Sequence, residues 1–112
     1  MVAPVSTCEE YFAKLNERFV AEAAKDVNAV YQYNLTGEGG GDWWVKFENG
    51  QMTVEKGVHE KPNVTYTMDA KHYVDMANGD LDGTKAYLTR KLKVKGNLAL
   101  AQKLKKILPP SK

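Results

Sequence analysis

The apolar positions of the chain alternate between two spacings, and the switches mark out its elements. Cys8, Phe12, Leu15, Phe19 and Ala23 recur three and four residues apart, which predicts a helix of about five turns ending near Lys25. Tyr11 and Val20 widen its apolar face, and Glu17, Arg18 and Glu22 are expected toward water. Ser6 and Thr7 each stand three residues before a glutamate, Glu9 and Glu10, the pattern of a capping box. The spacing then drops to two. Val27, Ala29, Tyr31, Tyr33 and Leu35 alternate with Asn28, Val30, Gln32, Asn34 and Thr36, a strand with one wetter face. Glycines at 37 and 39–41 interrupt it. Trp43, Val45 and Phe47 carry a second strand, Asn49-Gly50 supplies a two-residue hairpin turn, and Met52 and Val54 lie on the return strand. After a loop ending at Pro62, Val64, Tyr66 and Met68 predict a fourth strand.

Two short helices follow. Asp69 caps the first, through Tyr73, Val74 and Met76, and Asn78-Gly79 stops it. Asp82 or Thr84 opens the second, through Ala86, Tyr87 and Leu88. Leu92 and Val94, set between Lys91, Lys93 and Lys95, alternate as a fifth strand. Past Gly96-Asn97, the residues Leu98, Leu100, Ala101, Leu104 and Leu108 form the stripe of a last helix that Pro109-Pro110 terminates. No repeat, linker or boundary interrupts this order. It predicts one α+β domain over residues 1–112, with helices covering one face of a mainly antiparallel sheet.

Composition narrows the class. Apolar residues make up 43% of the chain and charged residues 27%, which excludes a disordered chain, a collagen and a disulfide scaffold. Cys8 is the single cysteine, so no internal disulfide forms, and with two histidines alone it builds no zinc site. No apolar run approaches the length of a membrane span. The opening Met1-Val-Ala-Pro-Val-Ser lacks the basic and apolar regions of a signal peptide, so a reducing, cytoplasmic compartment is expected. Charge is unevenly placed. Residues 1–82 hold 7 basic and 14 acidic residues, whereas residues 83–112 hold 9 basic residues and no acid. Such a segment attracts anions: membrane headgroups, the phosphates of a coenzyme A thioester, or nucleic acid. Lys103, Lys105 and Lys106 also suit the C-terminal end of a helix dipole, a reading that leaves Arg90, Lys91, Lys93 and Lys95 unexplained.

Catalytic patterns are missing. The glycines at 37–41 precede Asp42 and a strand, where a phosphate-binding loop needs Lys-Ser/Thr and a helix. Asp80-Leu-Asp82-Gly83 brings its glycine too early for a calcium loop, and Lys91 occupies the closing acidic position. His59 and His72 have no metal-ligand spacing. Cys8 belongs to the apolar stripe and reads as a small buried hydrophobe. No cofactor, metal or catalytic residue is expected, and a nucleic-acid partner is disfavoured because the basic segment carries no recognition motif or stacking platform.

Lys91-Leu-Lys-Val-Lys-Gly-Asn-Leu-Ala-Leu-Ala-Gln-Lys-Leu104 resembles the closing motif of the sterol carrier protein 2 family, a G-K-[LI]-K-[VI]-x-G-[ND] run followed by a helix of small and apolar residues. Trp43-x-Val45 with Asn49-Gly50, Val64-Thr-Tyr-Thr-Met68 before Asp69, and Gly79-Asp-Leu81-Asp with Ala86-Tyr87 are similar to its earlier motifs, in the same order. The family usually has Gly where this chain has Arg90, Pro where it has Gly83, and often an acid where Lys46 stands. Eukaryotic members often end in Ser-Lys-Leu. This chain ends Ser111-Lys112, which fits a cytosolic member, or a peroxisomal one lacking its terminal leucine.

The resemblance implies a five-stranded sheet, an apolar tunnel beneath its helices, and a non-enzymatic carrier of a fatty acid, fatty acyl-CoA, sterol or phospholipid chain. On that basis the expected lipid-binding residues are Met76, Leu81, Tyr87 and Leu88 at the tunnel mouth, Leu98, Ala101 and Leu104 on the last helix, and Phe12, Leu15 and Phe19 on the opposite wall. For each, ordinary core is the competing reading, because lining and core look alike in sequence. Arg90, Lys91, Lys93, Lys95, Lys103 and Lys106 are expected to meet an anionic headgroup or make transient contact with an anionic membrane. The alternative is an interaction module of the same fold that dimerises or buries a partner.

Overall fold

The computed structural model describes residues 3–111, so the terminal readings on Met1, Val2 and Lys112 lie outside the described residues. The chain runs α1 (Cys8–Ala13), a 3₁₀ turn (Leu15–Glu17), α2 (Ala21–Ala24), β1 (Ala29–Thr36), β2 (Gly41–Glu48), β3 (Gln51–Lys56), β4 (Val64–Asp69), α3 (Ala70–Ala77), α4 (Gly83–Leu88), β5 (Leu92–Gly96) and α5 (Leu98–Ile107). The five strands form one sheet in the order β3-β2-β1-β4-β5. Three neighbouring pairs are antiparallel and the central β1–β4 pair is parallel. The expected α+β architecture is present, with a mixed rather than wholly antiparallel sheet.

Local chemistry sets most of the boundaries. Thr7 caps α1 by accepting the Glu10 N–H at 3.0 Å, and the Glu10 carboxylate reaches back to the Ser6 N–H. Asp69, Asp82 and Asn97 cap α3, α4 and α5 in the same way. Asn49 and Gly50 both have positive φ, as a two-residue hairpin turn requires. Two of the three departures from the family pattern also find a place. Gly83 is the first residue of α4, the position where proline is tolerated. Arg90 has φ 65°, a left-handed conformation suited to glycine.

Two expectations are corrected. The long first helix is divided into α1, the 3₁₀ turn and α2. Beyond Lys14 the chain bends so that the Val20 N–H bonds the Ile107 carbonyl at 2.9 Å, a contact a continuous helix would forbid. The bend also rotates Arg18 inward, where it is buried instead of facing water. Its guanidinium donates to the carbonyls of Ala77 (2.8 Å), Pro109 (3.3 Å) and Ala3 (3.3 Å) and to Ser111 Oγ (2.9 Å), and it lies over the Tyr11 ring. The second correction concerns β1, whose expected wet face is covered. Val30 and Gln32 are buried. Gln32 Nε2 donates to the Trp43 and Gly57 carbonyls and its Oε1 accepts the His59 N–H, strapping the loop before Pro62 across the sheet.

The helices lie on the other face, over an aromatic layer. Phe12 stacks on Trp43 with centroids 4.7 Å apart and meets Tyr33 edge-on. Phe19 stacks on Phe47, and Leu15 is fully buried. Cys8 is buried against the Ala70 carbonyl, and desolvation pushes its thiol up to about 11, as expected of a structural cysteine. Because Arg18 joins both chain ends to α3, Arg18→Met should lower stability by about 2–4 kcal/mol, measured as a shift in the urea midpoint at unchanged slope.

Candidate functional site

Helix α5 carries the apolar stripe that the sequence predicts, yet the stripe is not packed like a core. Leu100, Ala101 and Leu104 are only half-buried and Leu98 is 51% exposed; within the helix only Ile107 is fully buried. What lies beneath is a cavity of about 540 Å³. The helix spans it because it is fastened near its ends. The Asn97 N–H bonds the Asn63 carbonyl, and the Tyr31 hydroxyl rises from the sheet to donate to the Leu100 carbonyl at 2.7 Å. At the far end Ile107 receives the Val20 N–H, and Pro109 and Ser111 are held by Arg18. Gly96 permits the close turn into α5, because a side chain there would collide with the Asn63 carbonyl.

Each wall comes from a different element. Strand alternation turns Tyr33, Tyr66, Leu92 and Val94 up to form the floor. Leu98, Ala101 and Leu104 form the roof. Met76 of α3, Leu81 of the connecting loop and Tyr87 of α4 make one side. Arg18, Pro109 and Pro110 line another part of the wall. Asp82, Thr84 and Lys105 supply polar lining beside α4 and α5. Leu98 and Tyr87, 51% and 45% exposed, mark the mouth, whereas Tyr33 is fully buried.

Six expected lipid-binding residues are thus brought together: Met76, Leu81, Tyr87, Leu98, Ala101 and Leu104. Four stand elsewhere. Leu88 is 72% exposed on the outer side of α4. Leu15 and Phe19 pack in the aromatic layer, and Phe12 borders a separate recess of about 210 Å³ beside Trp43 and Val54. The broken first helix explains the last three, since Phe12, Leu15 and Phe19 pack over β1 and β2 while Tyr11 and Arg18 of the same segment reach the cavity. The six expected anion-binding residues are all exposed and none lines the cavity. Lys93 and Lys95 alternate with Leu92 and Val94, so they face away from it on an edge strand, a placement that also discourages edge pairing. Lys103 and Lys106 lie on α5, as does Lys105, which reaches the cavity lining.

Sequence reasoning did not single out Tyr11, Tyr33, Tyr66, Tyr73 or Arg18 as lining. Tyr11, Tyr33, Tyr66 and Tyr73 all contribute to the lining, and desolvation raises the hydroxyl of each above its ordinary range. They are therefore neutral donors and acceptors at physiological pH. Among the described residues the lining contains no histidine, cysteine or serine, and no group of three or more potential metal ligands converges anywhere. The arrangement is an apolar chamber with hydroxyls on its deep wall and charges at its rim. Burial of these phenols and of Cys8 makes stability pH-dependent. The folded groups keep their protons after the unfolded ones, with ordinary values of 10.0 for tyrosine and 9.0 for cysteine, have lost theirs. Stability should fall as pH rises from 9 through the values of about 11 for Cys8 and about 12 for Tyr31, with no such loss below pH 8; urea midpoints across that range check it.

The same fold occurs in known proteins. The model of the SCP-2 sterol transfer family matches residues 9–109. Hydroxysteroid dehydrogenase-like protein 2 of Xenopus tropicalis is 36% identical over 104 residues, 92% of this chain, and the chain spans about a quarter (25%) of that relative's length. The solution structure of the sterol carrier protein domain 2 of Helicoverpa armigera superposes with a TM-score of 0.74 at 26% identity, covering 95% of this chain and 92% of that one. Palmitated SCP2L2 from Aedes aegypti superposes with a TM-score of 0.69 at 25% identity, covering 90% of this chain and 89% of that one. With its ordered motifs, its five-stranded sheet and a family match over nearly its whole length, the chain belongs to the SCP-2 sterol transfer family.

Proposed function

We propose that this chain is a lipid carrier that holds the alkyl part of a fatty acid, fatty acyl-CoA, sterol or phospholipid in the cavity beneath α5. The observation that carries the reading is the half-buried leucine stripe of α5 lying over empty apolar space instead of over packed core. Roughly 300–1,000 Å³ is the usual size of a small-molecule site, and the cavity falls within it. The palmitate held by the Aedes aegypti relative supports an alkyl chain as the occupant.

Magnitudes favour a carrier over a trap. Moving a sixteen-carbon chain from water into an apolar site gains about 12 kcal/mol. Micromolar affinity needs only about 8 kcal/mol. A bilayer offers nearly the same gain, so exchange between cavity and bilayer is close to neutral, and approach to the membrane governs the traffic. Arg90, Lys91, Lys103 and Lys106 would supply that approach, at about 1 kcal/mol per cation near an anionic surface. Lys105 at the rim would meet a carboxylate or phosphate left at the mouth. A second reading rests on the chain's covering a quarter of its vertebrate relative: the same fold would then serve as a module that binds a partner or a second copy.

Ala101→Phe places a ring where the smallest of the three roof side chains lines the cavity. Radiolabelled palmitate retained after gel filtration should fall about tenfold or more in this variant, with the urea midpoint little changed. A wild-type protein that retains no palmitate and elutes as a dimer would favour the module. The triple reversal Lys91→Glu, Lys103→Glu, Lys106→Glu should slow transfer of a fluorescent fatty acid to phosphatidylserine-containing vesicles about tenfold and leave transfer to neutral vesicles unchanged. An unchanged rate to the phosphatidylserine vesicles would remove the membrane role of these lysines.

A further inference from the structure

The lipid reading leaves one group unexplained. Tyr33 is fully buried on the cavity floor, and among the described residues its hydroxyl is the single buried side-chain oxygen or nitrogen with no hydrogen-bond partner. Its neighbours are better provided. The Tyr31 and Tyr66 hydroxyls donate to the Leu100 and Ala101 carbonyls of α5. The Tyr73 hydroxyl is a weak hydrogen-bonding neighbour of Tyr33, outside the distance and angle of a full bond. A buried hydroxyl without a partner is destabilising, and phenylalanine would fill the same space without that penalty.

The geometry points to the Tyr33 hydroxyl as a hydrogen-bonding station for an uncharged oxygen, a hydroxyl or carbonyl, carried on the deep part of the lipid. This rests on the cavity's being a lipid site and names the ligand class it selects. Two further observations fix the charge state. Arg18 is the buried cation of the lining, but its two terminal nitrogens already donate to Ala77, Pro109, Ala3 and Ser111, so it offers no free fork to a carboxylate. The remaining titratable groups that act on Tyr33 are the neutral phenols of Tyr11, Tyr31, Tyr66 and Tyr73. An ionised head would lose its hydration there for no compensating charge. It belongs instead at the mouth beside Lys105, and the oxygen that Tyr33 reads lies further along the chain or ring system.

Radiolabelled palmitate and a series of hydroxyhexadecanoates, with the hydroxyl moved stepwise from mid-chain to the terminal carbon, test this. Each is delivered to full-length wild type and Tyr33→Phe, and retained ligand is counted. The readout is the ratio of hydroxy acid to palmitate within one protein, so a general change in uptake cancels. In wild type the ratio should peak at one hydroxyl position, and in Tyr33→Phe that peak should drop about five- to tenfold, the worth of one buried neutral hydrogen bond. A peak of the same height in the variant overturns the assignment. If the variant does not fold, the wild-type series still decides, since a ratio that is flat along the chain overturns it equally. Failure of wild type to retain palmitate or any hydroxy acid is a different result: it removes the lipid reading, and the Tyr33 station with it.

Discussion

Helix α5 hangs over the sheet on hydrogen bonds, at its ends and from Tyr31 and Tyr66 to its Leu100 and Ala101 carbonyls, and the site follows from that constraint. One fastening is the buried Arg18 guanidinium, which gathers carbonyls from both chain ends and from the end of α3. A buried guanidinium is tolerable only with its donors satisfied, and here neutral carbonyls and a serine hydroxyl satisfy them. The other fastening is polar too: Asn97 on Asn63, and Tyr31 on the Leu100 carbonyl. Between them the helix meets the sheet through half-buried leucines. Hydrogen bonds are directional and hold position without demanding close packing, so a polar suspension preserves a gap that an apolar contact would close.

The sheet below is built to resist collapse into that gap. Tyr31, Tyr33, Tyr66 and Phe47 form a continuous aromatic layer with ring centroids 5.3–6.3 Å apart. Large rigid rings with few rotatable bonds relax poorly into a void, so the floor keeps its shape. On the opposite face Gln32 ties the 57–62 loop down, which leaves the central strand covered on both sides. The most adaptable lining side chain is Met76 of α3, which faces the glycine that opens α4. Rigid floor, suspended roof and adaptable side wall together suit an occupant of variable shape.

Much of this was legible in the sequence. Capping residues marked α3, α4 and α5, because a side chain that accepts its own helix's N–H acts locally. Asn49-Gly50 marked the hairpin for the same reason. Six cavity residues followed from apolar spacing joined to the family resemblance. What failed was non-local. The stripe from Cys8 to Ala23 reads as one helix, whereas the folded segment is a helix, a 3₁₀ turn and a second helix whose Val20 N–H bonds the Ile107 carbonyl, far along the chain. Arg18 reads as a surface charge until the acceptors at Ala3, Ala77, Pro109 and Ser111 are brought together. Tyr33 and Tyr66 sat on the correct strand face, but no spacing distinguishes the floor of a cavity from the middle of a core. The lysines of β5 and α5 read as one basic run, and the pleat separates them.

The central claim is that α5 overlies space which a ligand fills. Amide hydrogen exchange resolved along the chain tests it most directly. The account predicts that amides of residues 100–104 exchange much faster than those of β1 in the lipid-free protein, and that palmitate slows them strongly while β1 changes little. Residues 100–104 protected as well as β1 without lipid, or unaffected by palmitate, would contradict it.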